Sequence, residues 1–301
     1  MRSTRLAPLA LAALASVTLL GACGSDSSSS SNDSTTTTST DDAASTTDPS
    51  APTTAPGALP KPDVKIPETL PTSLVVTDLT PGEGPKAANG DTVVVHYIGV
   101  RSEDGTEFDN SYDRGEPFPV TLGAGQVIQG WDEGLVGVQQ GTRRQLDIPA
   151  DLAYGDSPQG DVIKPGDALT FVVDVLAVLP AADPADEPKV DITAGETVDS
   201  LKIEDITEGS GDPITAGKSV AFNYIIYRTD TAEQLESTWQ TGQPQNLPFP
   251  GNLPEVLQQG FDGLQVGTLR KLSIPYAEAK NVFQLDGETD IILVIDVVAI
   301  Y

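Results

Sequence analysis

Six aromatic side chains, Tyr97, Phe108, Phe118, Trp131, Tyr154 and Phe171, crowd into one stretch of a chain in which aromatics make up only 5% of residues. Asp109 directly follows Phe108, and Arg114 lies just before Phe118. An apolar, aromatic bowl edged by a few polar groups is a place to hold and orient an apolar segment of a ligand. The ordinary alternative is a plain hydrophobic core. Against it stand the two charged residues set among the rings, and Tyr154-Gly155-Asp156-Ser157-Pro158, which reads as a loop carrying an aromatic over a cavity.

Conventional catalysts are missing from the pattern. His96 is the sole histidine and Cys23 the sole cysteine, so no His/Cys metal site and no intramolecular disulfide can form. A carboxylate-only cation site has no support in the spacing, and no cofactor or metal is expected. Gly123-Ala124-Gly125 lacks the third glycine and the Lys-Ser/Thr of a phosphate loop. Asp109-Asn110-Ser111-Tyr112-Asp113 resembles a calcium loop, but Gly115 falls one place late and Val120 holds the twelfth position. With 17 Lys+Arg against 44 Asp+Glu, the net charge of -27 excludes nucleic acid as a partner.

The bowl needs elements to shape it. Val127, Trp131 and Leu135 are spaced i, i+4, i+8 and predict one apolar stripe on a short helix. Gly130 and Gly134 weaken that helix by about 1 kcal/mol each relative to alanine, so something must wrap its apolar face. Strands are predicted over 91–100, 143–148 and 168–178. In the first of these Val93, Val95 and Tyr97 alternate with Val94, His96 and Ile98, the pattern of a half-buried strand. A sheet curled over one helix follows.

The whole arrangement occurs twice. Asp78-Leu79-Thr80 returns as Asp205-Ile206-Thr207 at an offset of 127 residues (78 to 205). Tyr97 then pairs with Tyr224 and Phe108 with Leu235, while Gly134 pairs with Gly260 and Leu146-Asp147-Ile148-Pro149 with Leu272-Ser273-Ile274-Pro275. Two copies of one antiparallel α+β module are predicted, 72–179 and 200–301, joined by a linker over 180–199.

Val94-Val95-His96-Tyr97-Ile98-Gly99, Phe108-Asp109, Val127-Ile128-Gln129-Gly130-Trp131, Ala153-Tyr154-Gly155 and Phe171 together resemble the FKBP-type peptidyl-prolyl isomerases over essentially all of 72–179. The resemblance implies two FKBP-like domains, each an antiparallel sheet wrapped around a short helix, and a proline-binding pocket in the first. Trp131 is then the floor, with Tyr97, Phe108, Phe118, Val127, Ile128, Ile163 and Phe171 as walls. The Tyr154 hydroxyl and the Ile128 N–H hydrogen-bond substrate carbonyls, and Asp109 is a polar wall oriented by Arg114 and Tyr97. Xaa-Pro segments of polypeptides are the implied substrates, and macrolides are candidate ligands of the same pocket. The second copy departs from this pattern, with Leu257 for Trp131, Leu235-Glu236 for Phe108-Asp109 and Leu293 for Phe171, so it is expected to fold without isomerase activity.

Ahead of the modules, residues 1–22 have the make-up of a signal peptide: Arg2 and Arg5, then an apolar run from Leu6 to Leu20. Leu20-Gly21-Ala22-Cys23 resembles the lipobox of bacterial lipoproteins, which implies cleavage before Cys23, lipidation of that residue and anchoring at the outer face of the cell membrane. Residues 23–71, rich in Ser, Thr and Pro and without Lys or Arg before Lys61, read as a disordered tether. The expected protein is an envelope-anchored isomerase acting on exported polypeptides. The competing expectation is a non-catalytic envelope chaperone that holds proline-containing segments in the aromatic bowl.

Overall fold

The structure is a computed structural model that describes residues 60–301. The signal peptide 1–22, the lipidation site Cys23 and residues 23–59 of the tether lie outside the described residues. No helix among those described is long and apolar enough to cross a membrane.

Six strands build the first sheet: β1 (Val75–Thr80), β2 (Thr92–Arg101), β3 (Glu107–Asn110), β4 (Phe118–Thr121), β5 (Arg143–Ile148) and β6 (Leu169–Leu179). All pair antiparallel in the order β1-β5-β6-β2, with β3 and β4 sharing the far side of β2. Helix α1 (Gln129–Gly134) lies in the connection from β4 to β5. The second half repeats this plan with β7 (Lys202–Thr207), β8 (Ser219–Arg228), β9 (Gln234–Ser237), α2 (Thr238–Thr241), β10 (Gln245–Pro248), α3 (Glu255–Phe261), β11 (Leu269–Ile274), α4 (Tyr276–Ala279) and β12 (Ile291–Ile300). Its order is β7-β11-β12-β8, with β9 and β10 on β8. The expected α+β class, two antiparallel sheets each wrapped around a short helix, is what the chain forms.

The glycines that weaken α1 also let it come close. A Cβ at Gly130 would lie 2.4 Å from Ile148 Cγ2, and one at Gly134 would lie 2.7 Å from Leu146 Cδ2. Trp131 and Leu135 are buried beneath the sheet. Val127 precedes the helix instead of extending its stripe, because the helix begins only after Ile128. At the other end Arg144 donates from Nη1 to the Gly134 carbonyl at 2.8 Å and from Nε to Asp78 at 2.6 Å, satisfying a carbonyl that a helix terminus leaves open. Arg270 does the same in the second half, reaching the Gly260 and Asp262 carbonyls and Asp205.

One expectation for β2 is corrected. Its alternation reads as half-buried, yet Val93, Val95 and Tyr97 on the helix side and Val94, Ile98 and Val100 on the back are all buried. Two covers account for this. Val64 and Ile66 lie across Ile98, Val100 and Val172. Val94, Ala177 and Leu179 pack on Ala221 and Ala299 of the second sheet. Val94 and Ala177 occupy the positions equivalent to Ala221 and Ala299, so the halves meet through matching patches.

The tether boundary at 71 and the linker 180–199 are corrected by the same observation. Residues 60–66 are a strap on the first sheet, held also by Lys61 Nζ on Glu107 and Asp113 at 2.9 Å each. Val190 and Ile192 form its counterpart, packed with Ala182 on Ile225, Trp239, Ile292 and Val294. Pro62-Asp63-Val64-Lys65-Ile66 and Pro188-Lys189-Val190-Asp191-Ile192 repeat at an offset of 126 residues (62 to 188). Partial burial of two branched side chains per strap helps offset the ordering cost of a short extended segment that composition alone assigns to linker.

Candidate active site

The bowl opens between the concave face of the first sheet and α1. Tyr97 stands on β2, Phe108 and Asp109 on β3, Phe118 on β4 and Phe171 on β6, while Val127, Ile128 and Trp131 come from the entry and first turn of α1. Tyr154 arrives from the loop after β5, where Gly155 turns the chain in the left-handed region at φ 56° and donates to the Ala150 carbonyl. These residues enclose about 230 Å³. Ten of the eleven expected site residues therefore line or brace one cavity. Arg114 braces the rim without lining it, and Ile163, buried in the core that backs the bowl, reaches only the supporting layer.

Trp131 is the floor. Its ring meets Tyr97 and Phe171 edge-on with centroids 5.2 Å away, and Phe118 at 6.3 Å. Such pairs hold rings beyond what area burial gives, by about 0.5–1.5 kcal/mol each. Phe108 closes the far wall against Phe171 at 5.5 Å. The indole Nε1 is buried and has no hydrogen-bond partner among the described residues.

One wall is polar. Tyr97 donates its hydroxyl hydrogen to Asp109 Oδ2, and Arg114 donates to Asp109 Oδ1 and to the Tyr97 oxygen, the latter at 2.9 Å. Burial pushes the Asp109 carboxyl upward, but the hydrogen bonds from Tyr97 and Arg114 and the Arg114 charge together outweigh it and leave it below the usual carboxylate range. Burial, then the charge of Asp109, raises the Tyr154 phenol, which stays a neutral donor. Both Tyr154 and Ile128 line the bowl, and no hydrogen bond among the described residues uses the Tyr154 hydroxyl or the Ile128 N–H.

Sequence reasoning missed two contributors. Gln126 joins the lining from the position before Val127, a polar residue at a helix entry with no motif to mark it. Gly99 makes the bowl possible: a Cβ there would lie 2.6 Å from Phe108 Cζ and 2.7 Å from Phe171 Cε1. A glycine inside a central strand was the available signal.

A family model for FKBP-type peptidyl-prolyl cis-trans isomerases matches residues 84–176. The FK506-binding protein of Streptomyces anulatus is 50% identical over 123 residues, 40% of this chain and 99% of its own. The chain belongs to the FKBP-type peptidyl-prolyl isomerase family. The FK506-binding protein of Neisseria meningitidis serogroup C is 47% identical over 106 residues, 35% of this chain and 96% of its own. The peptidyl-prolyl cis-trans isomerase FPR2 of Saccharomyces cerevisiae is 48% identical over 97 residues, 32% of this chain and 72% of its own. Among solved structures, FkpA from Escherichia coli shares 43% identity over 36% of this chain and 48% of that chain, at a TM-score of 0.33 that adds nothing to the sequence match. The FKBP isomerase module is thus the half that carries the bowl.

In the second half the same space is filled. Ile226 stands where Gly99 leaves room, Leu257 replaces Trp131, and Leu235, Leu293 and Gln245 replace Phe108, Phe171 and Phe118. Phe222 and Phe261, at the positions of Val95 and Leu135, meet edge-on at 5.0 Å and press up from below. Tyr224 keeps its partner, donating to Glu236 Oε1 at 2.6 Å, but the other carboxyl oxygen of Glu236 is buried and unpaired. A recess of about 350 Å³ beside α3 and α4, walled by Leu201, Glu255, Gln259, Glu278 and Asn281, carries no aromatic and lacks the features of a proline pocket.

Burial raises the Glu236 carboxyl, with the Tyr224 hydrogen bond opposing. A folded-state pKa above the unfolded one means stability that is complete below the ordinary glutamate pKa and is lost as pH rises through the raised value. Glu236→Gln should therefore raise the melting temperature at pH 7, and the gain over the wild-type chain should shrink toward pH 4. A gain that does not change with pH would show that the carboxyl titrates normally.

Proposed function

We propose that the first FKBP module catalyses cis–trans isomerisation of Xaa-Pro bonds in exported polypeptides at the cell envelope, and that the second is a non-catalytic companion. The observation that supports the catalytic reading best is the Trp131-floored bowl with two open donors, Tyr154 and Ile128, and one braced carboxylate, Asp109.

The chain's residues suit this reaction. Rotation about a peptide bond costs about 18–20 kcal/mol because resonance gives the C–N bond double-bond character. The planar, dipolar amide is favoured by water, so moving it among Trp131, Tyr97, Phe118 and Phe171 removes that support and favours the twisted form. The prolyl ring packs on the Trp131 floor. Tyr154 and Ile128 N–H hold the flanking carbonyls, and Asp109 faces the rotating amide, held by Tyr97 and Arg114. These contacts accelerate the reaction to the extent that they bind the twisted state more tightly than the ground state, about 1.4 kcal/mol per tenfold. Macrolides of the FK506 type are the ligands expected to compete for this bowl.

The envelope assignment rests on the sequence of residues 1–23, with Cys23 as the lipid-bearing residue and the following segment as a spacer. In unfolded exported chains about 10–30% of Xaa-Pro bonds are cis and convert slowly, which gives such an enzyme its task.

The test is isomerisation of an Xaa-Pro peptide by the purified chain. Activity that falls about tenfold in Tyr154→Phe, roughly 1.4 kcal/mol, supports the assigned role of that hydroxyl. A folded chain that binds proline-containing peptide without accelerating isomerisation would replace the enzyme reading by a holding module.

A further inference from the structure

The loop between β3 and β4 carries Arg114 to the rim of the bowl, and it is also held from the opposite face of the sheet. Ser111, fully buried, accepts from the Tyr97 N–H at 2.9 Å and lies 2.9 Å from His96 Nδ1. Tyr112 stacks on His96 with ring centroids 4.9 Å apart and donates its hydroxyl to Asp174 Oδ2 at 2.6 Å. Asp174 is itself fixed by Arg143, through Nε at 2.6 Å and Nη2 at 2.7 Å. His96, Asp174 and Arg143 sit in register across β2, β6 and β5.

The second half supplies an internal comparison. There Asn223, Asp296 and Leu269 hold the equivalent register positions, and Trp239 replaces Tyr112 in an apolar cluster with Ile225, Ile292 and Val294. Thr241 stands where Arg114 does. Thr238 still accepts from the Tyr224 N–H and donates to Asn223, as Ser111 pairs with Tyr97 and His96, so what the half without the guanidinium has lost is the tyrosine–aspartate–arginine part of the anchor.

We propose that Tyr112 is a positioning residue of the isomerase bowl: through Asp174 and His96 it anchors the loop that holds Arg114 against Asp109 and Tyr97. This rests on the bowl being the isomerase site. Tyr112, His96 and Asp174 lie on the back of the sheet and line no part of the bowl, so their effect on the reaction passes through the loop that carries Arg114. Misplacing a catalytic group by about 1 Å can cost about a hundredfold in rate.

The experiment compares the full-length chain with its Tyr112→Phe and Tyr112→His variants. Phenylalanine removes one hydroxyl and leaves the ring stack and the Arg143–Asp174 pair intact, so the fold is retained. Two readouts are taken: kcat and KM on an Xaa-Pro peptide across pH, and the titration of the Asp109 carboxyl carbon by NMR. The titratable groups facing Asp109 are Tyr97, Arg114 and Tyr154, and none is altered. In Tyr112→Phe, kcat should fall about tenfold with KM changed less, as a lost transition-state contact requires. The Asp109 titration should move up toward the ordinary carboxylate range, carrying the acid limb of the rate profile with it. Tyr112→His keeps a ring and a donor for Asp174 and should recover part of both. An unchanged Asp109 titration in Tyr112→Phe overturns the proposal. Should the wild-type chain lack isomerase activity, the functional reading fails by itself, and the Asp109 titration still decides the positioning.

Discussion

Gly99→Ile is expected to abolish isomerase activity while leaving a folded chain. The second half already shows this side chain in place, since Ile226 occupies the equivalent position and is buried against the filled core. In the first half the new Cβ alone would press on Phe108 and Phe171 at 2.6 and 2.7 Å, closer than carbon atoms pack, and the rest of the side chain would enter the cavity. Both rings must move, and Phe171 is in edge contact with the Trp131 floor. The expected loss in kcat/KM is at least about a hundredfold, roughly 2.7 kcal/mol of transition-state binding. Overpacking should cost about 1–3 kcal/mol of stability, so a lower melting temperature is expected with the sheet retained by circular dichroism. Activity within threefold of the wild type would show that the reaction does not take place in this bowl.

Trp131→Ala should have the second large effect, and it acts on stability as well as on rate. Trp131 is 3% exposed and meets three rings edge-on, so truncation removes both the pocket floor and the main packing of α1 on the sheet. Buried Trp→Ala changes cost about 3–5 kcal/mol. That is a large share of the roughly 5–15 kcal/mol that keeps a domain folded. The first half should therefore unfold at a lower temperature than the second, splitting the thermal transition of the chain in two. Measured below the first transition, isomerisation should fall by at least about a hundredfold, roughly 2.7 kcal/mol. A variant that melts early yet isomerises at the wild-type rate in the cold would remove Trp131 from the site and leave it a core residue.

These two residues also mark how far the sequence could be read. Trp131, Tyr97, Phe108, Phe171 and Asp109 were legible because each has an unusual residue type at a spacing that recurs across a whole family. The repeat was legible because Tyr224, Gly260 and Leu272-Ser273-Ile274-Pro275 keep their offsets. Gly99 and Gln126 were not, since a glycine carries no side chain to announce what it makes room for and a glutamine before a helix is commonplace. The straps were misread for a related reason. Val64 and Ile66, like Val190 and Ile192, sit between prolines and charges, so local composition says linker.

By itself the sequence determined the fold class, the two copies, the aromatic set with its polar wall, and the erosion of that set in the second copy. All of these rest on residue identity and spacing along the chain. Only the tertiary structure decided that both faces of β2 are covered and that the loop carrying Arg114 is tied to Asp174 and His96 behind the sheet. It alone decided that Ile226 occupies the volume Gly99 leaves open. These depend on which side chains face each other across strands far apart in sequence, and on shared volume, which no one-dimensional pattern records.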